Sequence, residues 1–217
     1  MGTSSAAVAA VLGYPDGEKM PFEALYALAK RLVAALSVPL SVDLEGGYSR
    51  TAAGICRHIE QLADIGVAGV NLEDSVVNSG RSLGVMETFA ATVGAIKSRL
   101  IRNRVNVFLN VRTDAFLLEH PAPLAETLRR LKAYEAAGAD GIFAPGLVER
   151  QAVQRVTSAT QLPVNLLAMP ALPPFGELGA LGVRRISMGD FVHQAQLRQL
   201  ERHARIIQQE QSFNCLF

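Results

Sequence analysis

Cysteine is scarce in this chain: Cys56 and Cys215 are the only two in 217 residues. They lie too far apart for a CxxC or zinc spacing, and nothing implies a disulfide framework, so a reducing cytoplasm is the expected compartment. Excess charge of either sign is missing too, with a formal net charge of +1. No basic stripe with interleaved aromatics is present, which argues against nucleic acid or an anionic membrane as partner. No apolar run reaches roughly 18 residues, and Met1-Gly2-Thr3-Ser4-Ser5-Ala6-Ala7 carries no basic leader, so no membrane span or secretory signal is expected. Linkers, low-complexity tracts and breaks in composition are lacking, so residues 1–217 read as a single domain. No GxGxxG follows the first strand, which removes the usual dinucleotide signature.

What is present is an ordinary globular balance, 49% hydrophobic and 19% charged, arranged as alternating helices and strands. Phe22, Leu25, Ala29, Leu32, Val33 and Leu36 recur at helical spacing after Pro21, and Ile55, Ile59, Leu62 and Ala63 do so again. Further helices are expected near 85–101, 124–137 and 190–210. Strands are expected near 38–43, 70–73, 106–112, 140–144, 163–167 and 184–188, with a stub at residues 1–5. Gly66, Gly138 and Gly182 stand at helix-to-strand junctions, where a left-handed cap turns the chain. Repeated strand–helix units give a parallel sheet covered by helices. An open doubly wound sheet and a (β/α)8 barrel both fit this order, but the unusual polar residues all fall at strand exits, which favours the barrel. Such a barrel typically takes about 250 residues and eight strands, so the chain reads as short by its first strand–helix unit.

The strand exits carry the chemistry. Val42-Asp43-Leu44-Glu45-Gly46-Gly47 places two acids two residues apart, on one side if the extended backbone continues. Glu73, Asp74 and Ser75 follow the next strand, and Arg112, Thr113 and Asp114 the one after. Asp16 lies in the Gly13–Glu18 loop. Carboxylates gathered on one rim suit a hard divalent cation, most naturally Mg2+ held partly through waters. An arginine beside them suits a bidentate grip on an anion, and the pair suits a reaction that builds an enolate. Each group also has a plainer reading: Asp43 as a cap, Glu73-Asp74 as a salt-bridged helix entrance, Arg112 paired with Asp114 or Glu73, and Asp16 in a common Pro-Asp-Gly turn. His58, His120, His193 and His203 have no ligand spacing and read as surface or structural, and Cys56 as a small buried apolar residue.

Ser4-Ser5-Ala6, Leu12-Gly13-Tyr14-Pro15-Asp16, Val42 to Tyr48, Gly69 to Ser75 and Asn110 to Ala115, taken together and in this order, resemble the isocitrate lyase and phosphoenolpyruvate mutase superfamily. The resemblance implies a (β/α)8 barrel, usually a homodimer or homotetramer, whose last helix, here about 190–210, is often swapped onto a neighbouring subunit. It implies Mg2+ (or Mn2+) chemistry on small 2-oxo or 2-hydroxy acids through an enolpyruvate-like species. By that resemblance Asp43 is the direct metal ligand, Glu45, Glu73 and Asp16 hold the metal's waters, and Arg112 is the substrate clamp. Ser4 and the amides of Ser5 and Ala6 would grip the substrate's carboxylate or phosphonate, and Asn165 lies on a strand that lines the pocket. Glu73 and Asp16, with Arg112, are thus the candidate catalytic groups. Where lyases of the superfamily carry Lys-Lys-Cys-Gly-His, this chain reads Val76 to Leu83 without lysine, cysteine or histidine. Asn78 and Arg81 match the mutases' gating loop poorly. A carbon–carbon lyase or decarboxylase of a small dicarboxylate is the expectation. The alternatives are a phosphorus–carbon enzyme of the carboxyphosphonoenolpyruvate phosphonomutase or phosphonopyruvate hydrolase type, and an anion-binding barrel without turnover.

Overall fold

Among the described residues, eight strand segments form: β1 (Ser41–Asp43), β2 (Gly69–Glu73), β3 (Ser75–Val77), β4 (Arg81–Leu83), β5 (Phe108–Arg112), β6 (Gly141–Ala144), β7 (Val164–Leu167) and β8 (Val183–Ser187). The computed structural model describes residues 1–77 and 80–217. Six of the strands make one parallel sheet in the order β1-β2-β5-β6-β7-β8, and β3 pairs antiparallel with β4 as a separate hairpin. The sheet curls. Its end strands come back within reach of each other, where Arg185 of β8 extends Nη1 to Ser41 Oγ of β1 at 3.5 Å. The result is a partial (β/α)8 barrel with its helices outside, as the strand–helix alternation predicts.

Residues of the central strands are buried on both faces, and all five positions of β2 are closed off. Val70 and Leu72 face the helices, which return apolar stripes: Ile55, Ile59 and Leu62 from α3 (Ala52–Asp64), Val93, Ile96 and Leu100 from α4 (Met86–Arg102), and Leu131 with Tyr134 from α5 (Pro123–Ala136). Each such side chain contributes about 1.5–3 kcal/mol by leaving water. Gly66, Gly138 and Gly182 adopt φ of +95°, +97° and +90°, the left-handed caps their positions predict.

Four features depart from the sequence reading. The stub is a strand only at its start: Gly2 bridges to Ser41 in parallel and Ser41 N donates to Met1 O at 2.9 Å. Ser5 already begins α1 (Ser5–Val11), because Ser4 accepts from Ala7 N and caps it. The segment expected as a loop after β2 is the β3–β4 hairpin, of which Asn78 lies outside the described residues. Helices α6 (Arg150–Ser158) and α7 (Phe175–Ala180) are too short for a clear periodicity, although Glu149 caps α6 through Gln151 N and Ala152 N. The last helix, α8 (Phe191–Glu210), forms where expected but buries none of its residues. Among the described residues, no helix is long and apolar enough to cross a membrane.

Candidate active site

Strand alternation aims one set of side chains into the barrel. From β1, β2 and β5 these are Asp43, Asn71 with Glu73, and Asn110 with Arg112. Register places Asp43 opposite Asn71, and Glu73 opposite Arg112. A cavity of about 660 Å³ runs along this interior, lined by Asp43, Arg112, Asp16, Ser4, Ser5 and Ala6 at the rim and by Ser41 and Gly69 toward the strand starts, among others. Glu45 and Glu73 line an adjoining cavity of about 250 Å³. Below, Asn110 donates from Nδ2 to Asn71 Oδ1 at 2.8 Å and to Asn165 Oδ1 at 3.1 Å, and Ser187 Oγ donates to the same Asn165 oxygen at 3.1 Å. The barrel floor is therefore a hydrogen-bonded polar layer rather than a plug of branched apolar side chains.

Asp43 ends β1. Its Oδ2 accepts from Ser5 N at 3.2 Å, while Oδ1 is buried and has no partner. A buried carboxylate oxygen left unsatisfied is costly unless a ligand completes it. Glu45 reaches the site by a different route from the one strand alternation suggests. Extended geometry stops at Asp43, and Glu45 takes a left-handed φ of +51° in the turn before the glycine pair. Its carboxylate then accepts from Glu18 N at 3.0 Å and from Tyr48 Oη at 3.2 Å. Burial, then the charges of Asp16, Asp43 and Glu73, push its pKa from 4.5 up to about 8. Four acids thus repel one another across this rim, Asp16 from an exposed position.

Arg112 is tied down by two carboxylates. Nε donates to Asp114 Oδ1 at 2.6 Å, Nη2 to Asp114 Oδ2 at 3.1 Å, and Nη1 lies 3.2 Å from Glu73 Oε2. Both structural pairings expected for it form, and its guanidinium also sits 5.7 Å from the Phe143 ring centroid. Burial works against the charge, but Glu73 and Asp114 more than offset it and hold the pKa above the ordinary arginine value. Arg81, from β4, is a second guanidinium, which the sequence reading set against the mutases' gating loop as a poor match and did not place in the site. It bonds Glu73, donates to Ser75 Oγ at 2.9 Å and reaches Asp114 Oδ2 at 3.5 Å. Its only sequence signal is a lone base in a segment too short to show strand alternation. Burial pushes Glu73 up to about 7 against the pull of Arg112 and Arg81.

Asp74, grouped with Glu73 on one rim by the sequence reading, turns the opposite way. It accepts from Arg130 Nη1 and Tyr134 Oη, both at 2.8 Å, and from Asp114 N at 3.2 Å. Arg130 Nη2 also donates to Gly84 O at 2.9 Å, and Gly84 N to Asp74 O at 2.8 Å, which pins the base of the hairpin to the barrel. The Ser4 hydroxyl caps its own helix, and the Ser5 amide is held by Asp43. His58 stacks on Phe22 at 3.9 Å and bonds Gly47 O, a structural role, and Cys56 is buried.

The donor set fits a hard cation held by one direct ligand. Asp43 offers an unshared buried oxygen, and the surrounding acids need positive charge to ionise together. Among the described residues, no three His, Cys, Asp or Glu side chains already close on a common point, so Glu45, Glu73 and Asp16 suit water-mediated contact.

The family profile for phosphoenolpyruvate phosphomutase matches residues 1–208. An uncharacterized protein of Mycobacterium tuberculosis is 36% identical over 207 residues, 95% of this chain and 76% of its own length. An oxaloacetate decarboxylase of Bradyrhizobium sp. strain BTAi1 is 31% identical over 185 residues, 84% of this chain but 62% of that enzyme. A Burkholderia cenocepacia crystal structure, provisionally assigned as a phosphonomutase, superposes with a TM-score of 0.88 at 36% identity, covering 94% of this chain and 84% of that one. The chain belongs to the phosphoenolpyruvate phosphomutase family, within the isocitrate lyase and phosphoenolpyruvate mutase superfamily of lyases and mutases.

Proposed function

We propose that the chain is a divalent-metal-dependent carbon–carbon lyase or decarboxylase acting on a small 2-oxo or 2-hydroxy dicarboxylate. The observation that carries this reading is one cavity containing both the unpartnered Asp43 oxygen and the braced Arg112 guanidinium. Asp43 would hold Mg2+ or Mn2+, with Glu45, Glu73 and Asp16 around it. Once bound, the ion supplies positive charge where an enolate oxygen develops. Arg112, fixed by Asp114 and Glu73, holds the substrate carboxylate and orients the scissile bond. The floor of asparagines and Phe143 shape the space around the reacting carbons. The similarity to an oxaloacetate decarboxylase supports this chemistry, and so does a hairpin without cysteine, which leaves no thiol acid at its described positions.

A second reading, phosphorus–carbon chemistry on a phosphonopyruvate-like substrate, is favoured by the Burkholderia structure. Turnover of oxaloacetate, methylisocitrate and phosphonopyruvate, each with and without Mg2+, separates the two. Calorimetry with Mg2+ and oxalate, an enolate mimic, tests the site itself. Binding without turnover of any panel member would leave an anion-binding barrel, and failure of Mg2+ to bind would end both enzyme readings.

We infer that the chain assembles as a homodimer or homotetramer through α8, which buries none of its residues and leaves Phe191, Val192, Leu197 and Leu200 exposed on more than one side.

A further inference from the structure

Arg185 has no role in the scheme so far. It projects inward from the middle of β8, on the wall of the large cavity. Register links it to the clamp: Arg112 stands opposite Phe143, Phe143 opposite Asn165, and Asn165 opposite Arg185. The two arginines are therefore three strands apart, about 14 Å along the sheet at the usual strand spacing, with both side chains turned into the space the curl encloses. Arg185 crosses part of that space. Nη1 reaches Ser41 Oγ at 3.5 Å, and Nη2 lies 3.2 Å from where a Cβ on Gly2 would stand.

Every other shielded arginine or lysine among the described residues has a carboxylate partner: Arg81 and Arg112 share Glu73 and Asp114, Lys97 takes Asp140, Arg99 takes Glu60, and Arg130 takes Asp74 and Glu126. Among the described arginines and lysines, Arg185 alone is both shielded from full exposure and without a carboxylate within salt-bridge distance. Burial pulls its pKa below the ordinary arginine value, and only the more distant Asp43 pulls the other way. A guanidinium stays charged regardless. Withdrawing it from water without a counter-charge is unfavourable, and an anion entering the cavity removes that cost.

We propose that Arg185 binds the second anionic group of the substrate, opposite the one held by Arg112, and so selects four-carbon dicarboxylates over monocarboxylates and over oxalate. The assignment rests on the metal-dependent dicarboxylate reading above. A two-carbon dianion gripped at Arg112 and the acid rim is too short to reach β8. A longer dicarboxylate spans the gap between the two inward-pointing guanidiniums, and Ser41 Oγ beside Arg185 offers it a further hydrogen bond. Phe143 and Leu167, between them on the wall, supply apolar contact for the intervening carbons.

The test is calorimetry on the Mg2+-loaded chain with oxalate, malate and lactate, which is malate without its second carboxylate. The wild type should bind malate at least ten-fold more tightly than lactate. Arg185→Gln should remove that advantage, weakening malate ten-fold or more while leaving oxalate unchanged. Arg185→Lys, which keeps the charge and guards against a variant that fails to fold, should weaken malate only a few-fold, again with oxalate unaltered. Equal weakening of oxalate and malate in both variants would make Arg185 a structural residue and overturn the assignment. Unchanged malate binding would also overturn it, and would leave Arg185 to the carboxylate of another polypeptide segment. Failure of oxalate to bind the wild type would instead sink the metal-dependent reading on which the assignment stands.

Discussion

Glu73 and Asp74 are neighbours in sequence, are both buried acids and both have arginine partners, yet they belong to different worlds. Glu73 points into the barrel, shares two guanidiniums with Asp114, and is pushed up to about 7 by burial. Asp74 faces the helices and is saturated: Arg130, Tyr134 and the Asp114 amide all donate to it, and the hairpin base is tied to the same cluster. Beside Glu73, Asp43 keeps an oxygen with no partner, and Glu45 is destabilised as an anion by its neighbours. Between these buried carboxylates, completeness of hydrogen bonding separates scaffold from site more than burial or charge does. A network with nothing left to accept holds the fold together. A cluster with an open valence still has an acceptor to offer.

Substitutions can break that contrast. The largest effect is expected from Asp43→Ala: loss of Mg2+ and oxalate binding by calorimetry and at least a hundred-fold drop in turnover, since a bound ion supplies several kcal/mol to the transition state. Thermal stability should stay the same or rise, because an unsatisfied buried carboxylate is removed. The mirror experiment is Asp74→Ala. Denaturant unfolding should show a loss of about 3–5 kcal/mol, the cost of orphaning a buried arginine, while the folded fraction keeps its Mg2+ affinity. If Asp74→Ala abolishes binding and leaves stability intact, the division between scaffold and site is wrong.

Arg112→Lys should come next, lowering kcat/KM roughly ten- to a hundred-fold, because a point charge cannot keep both the Asp114 fork and a bidentate grip on substrate. Steady-state kinetics reads this directly. A smaller effect concerns pH. Glu45 has an ordinary value of 4.5 when unfolded and about 8 when folded, so the folded chain holds its proton longer. The metal-free protein should therefore lose stability as pH rises from about 4.5 through about 8, and Mg2+ affinity should increase over the upper part of the same window. Glu45→Gln should flatten both profiles. The smallest effect on chemistry is expected from truncation after Gly189: if the proposed homo-oligomer assembles through α8, light scattering should report fewer copies per particle while the barrel keeps its fold.

Much of this was legible before any coordinates. The strands, the glycine-capped junctions and a parallel sheet follow from periodicity and composition, the closed form was favoured only by the polar strand exits and the family resemblance, and Asp43, Glu73 and Arg112 fall at exits that such a sheet must bring to one rim. What escaped has definite physical causes. Strand alternation suggested the right neighbours for the wrong reason at Glu45, whose left-handed turn is held by the adjacent Tyr48 and by Glu18, which lies in a separate loop 27 positions upstream. The same rule did not warn that Asp74, one residue beyond β2, would turn outward, since its partners Arg130 and Tyr134 lie some 60 positions downstream. Arg81 and Arg185 gave only weak signals, one in a segment three residues long and the other inside an ordinary-looking strand.

The hairpin's foundation has one more implication. At Gly84 an added Cβ would meet the Asp74 carbonyl oxygen at 2.7 Å, so its foot admits no side chain, whereas a Cβ at Gly80, near the tip, would meet nothing within 4 Å. Such a layout makes the tip interchangeable. A side chain substituted at Gly80 would leave the mounting at Gly84 and Asp74 unchanged, so the described end of β4 tolerates variation that its foot does not.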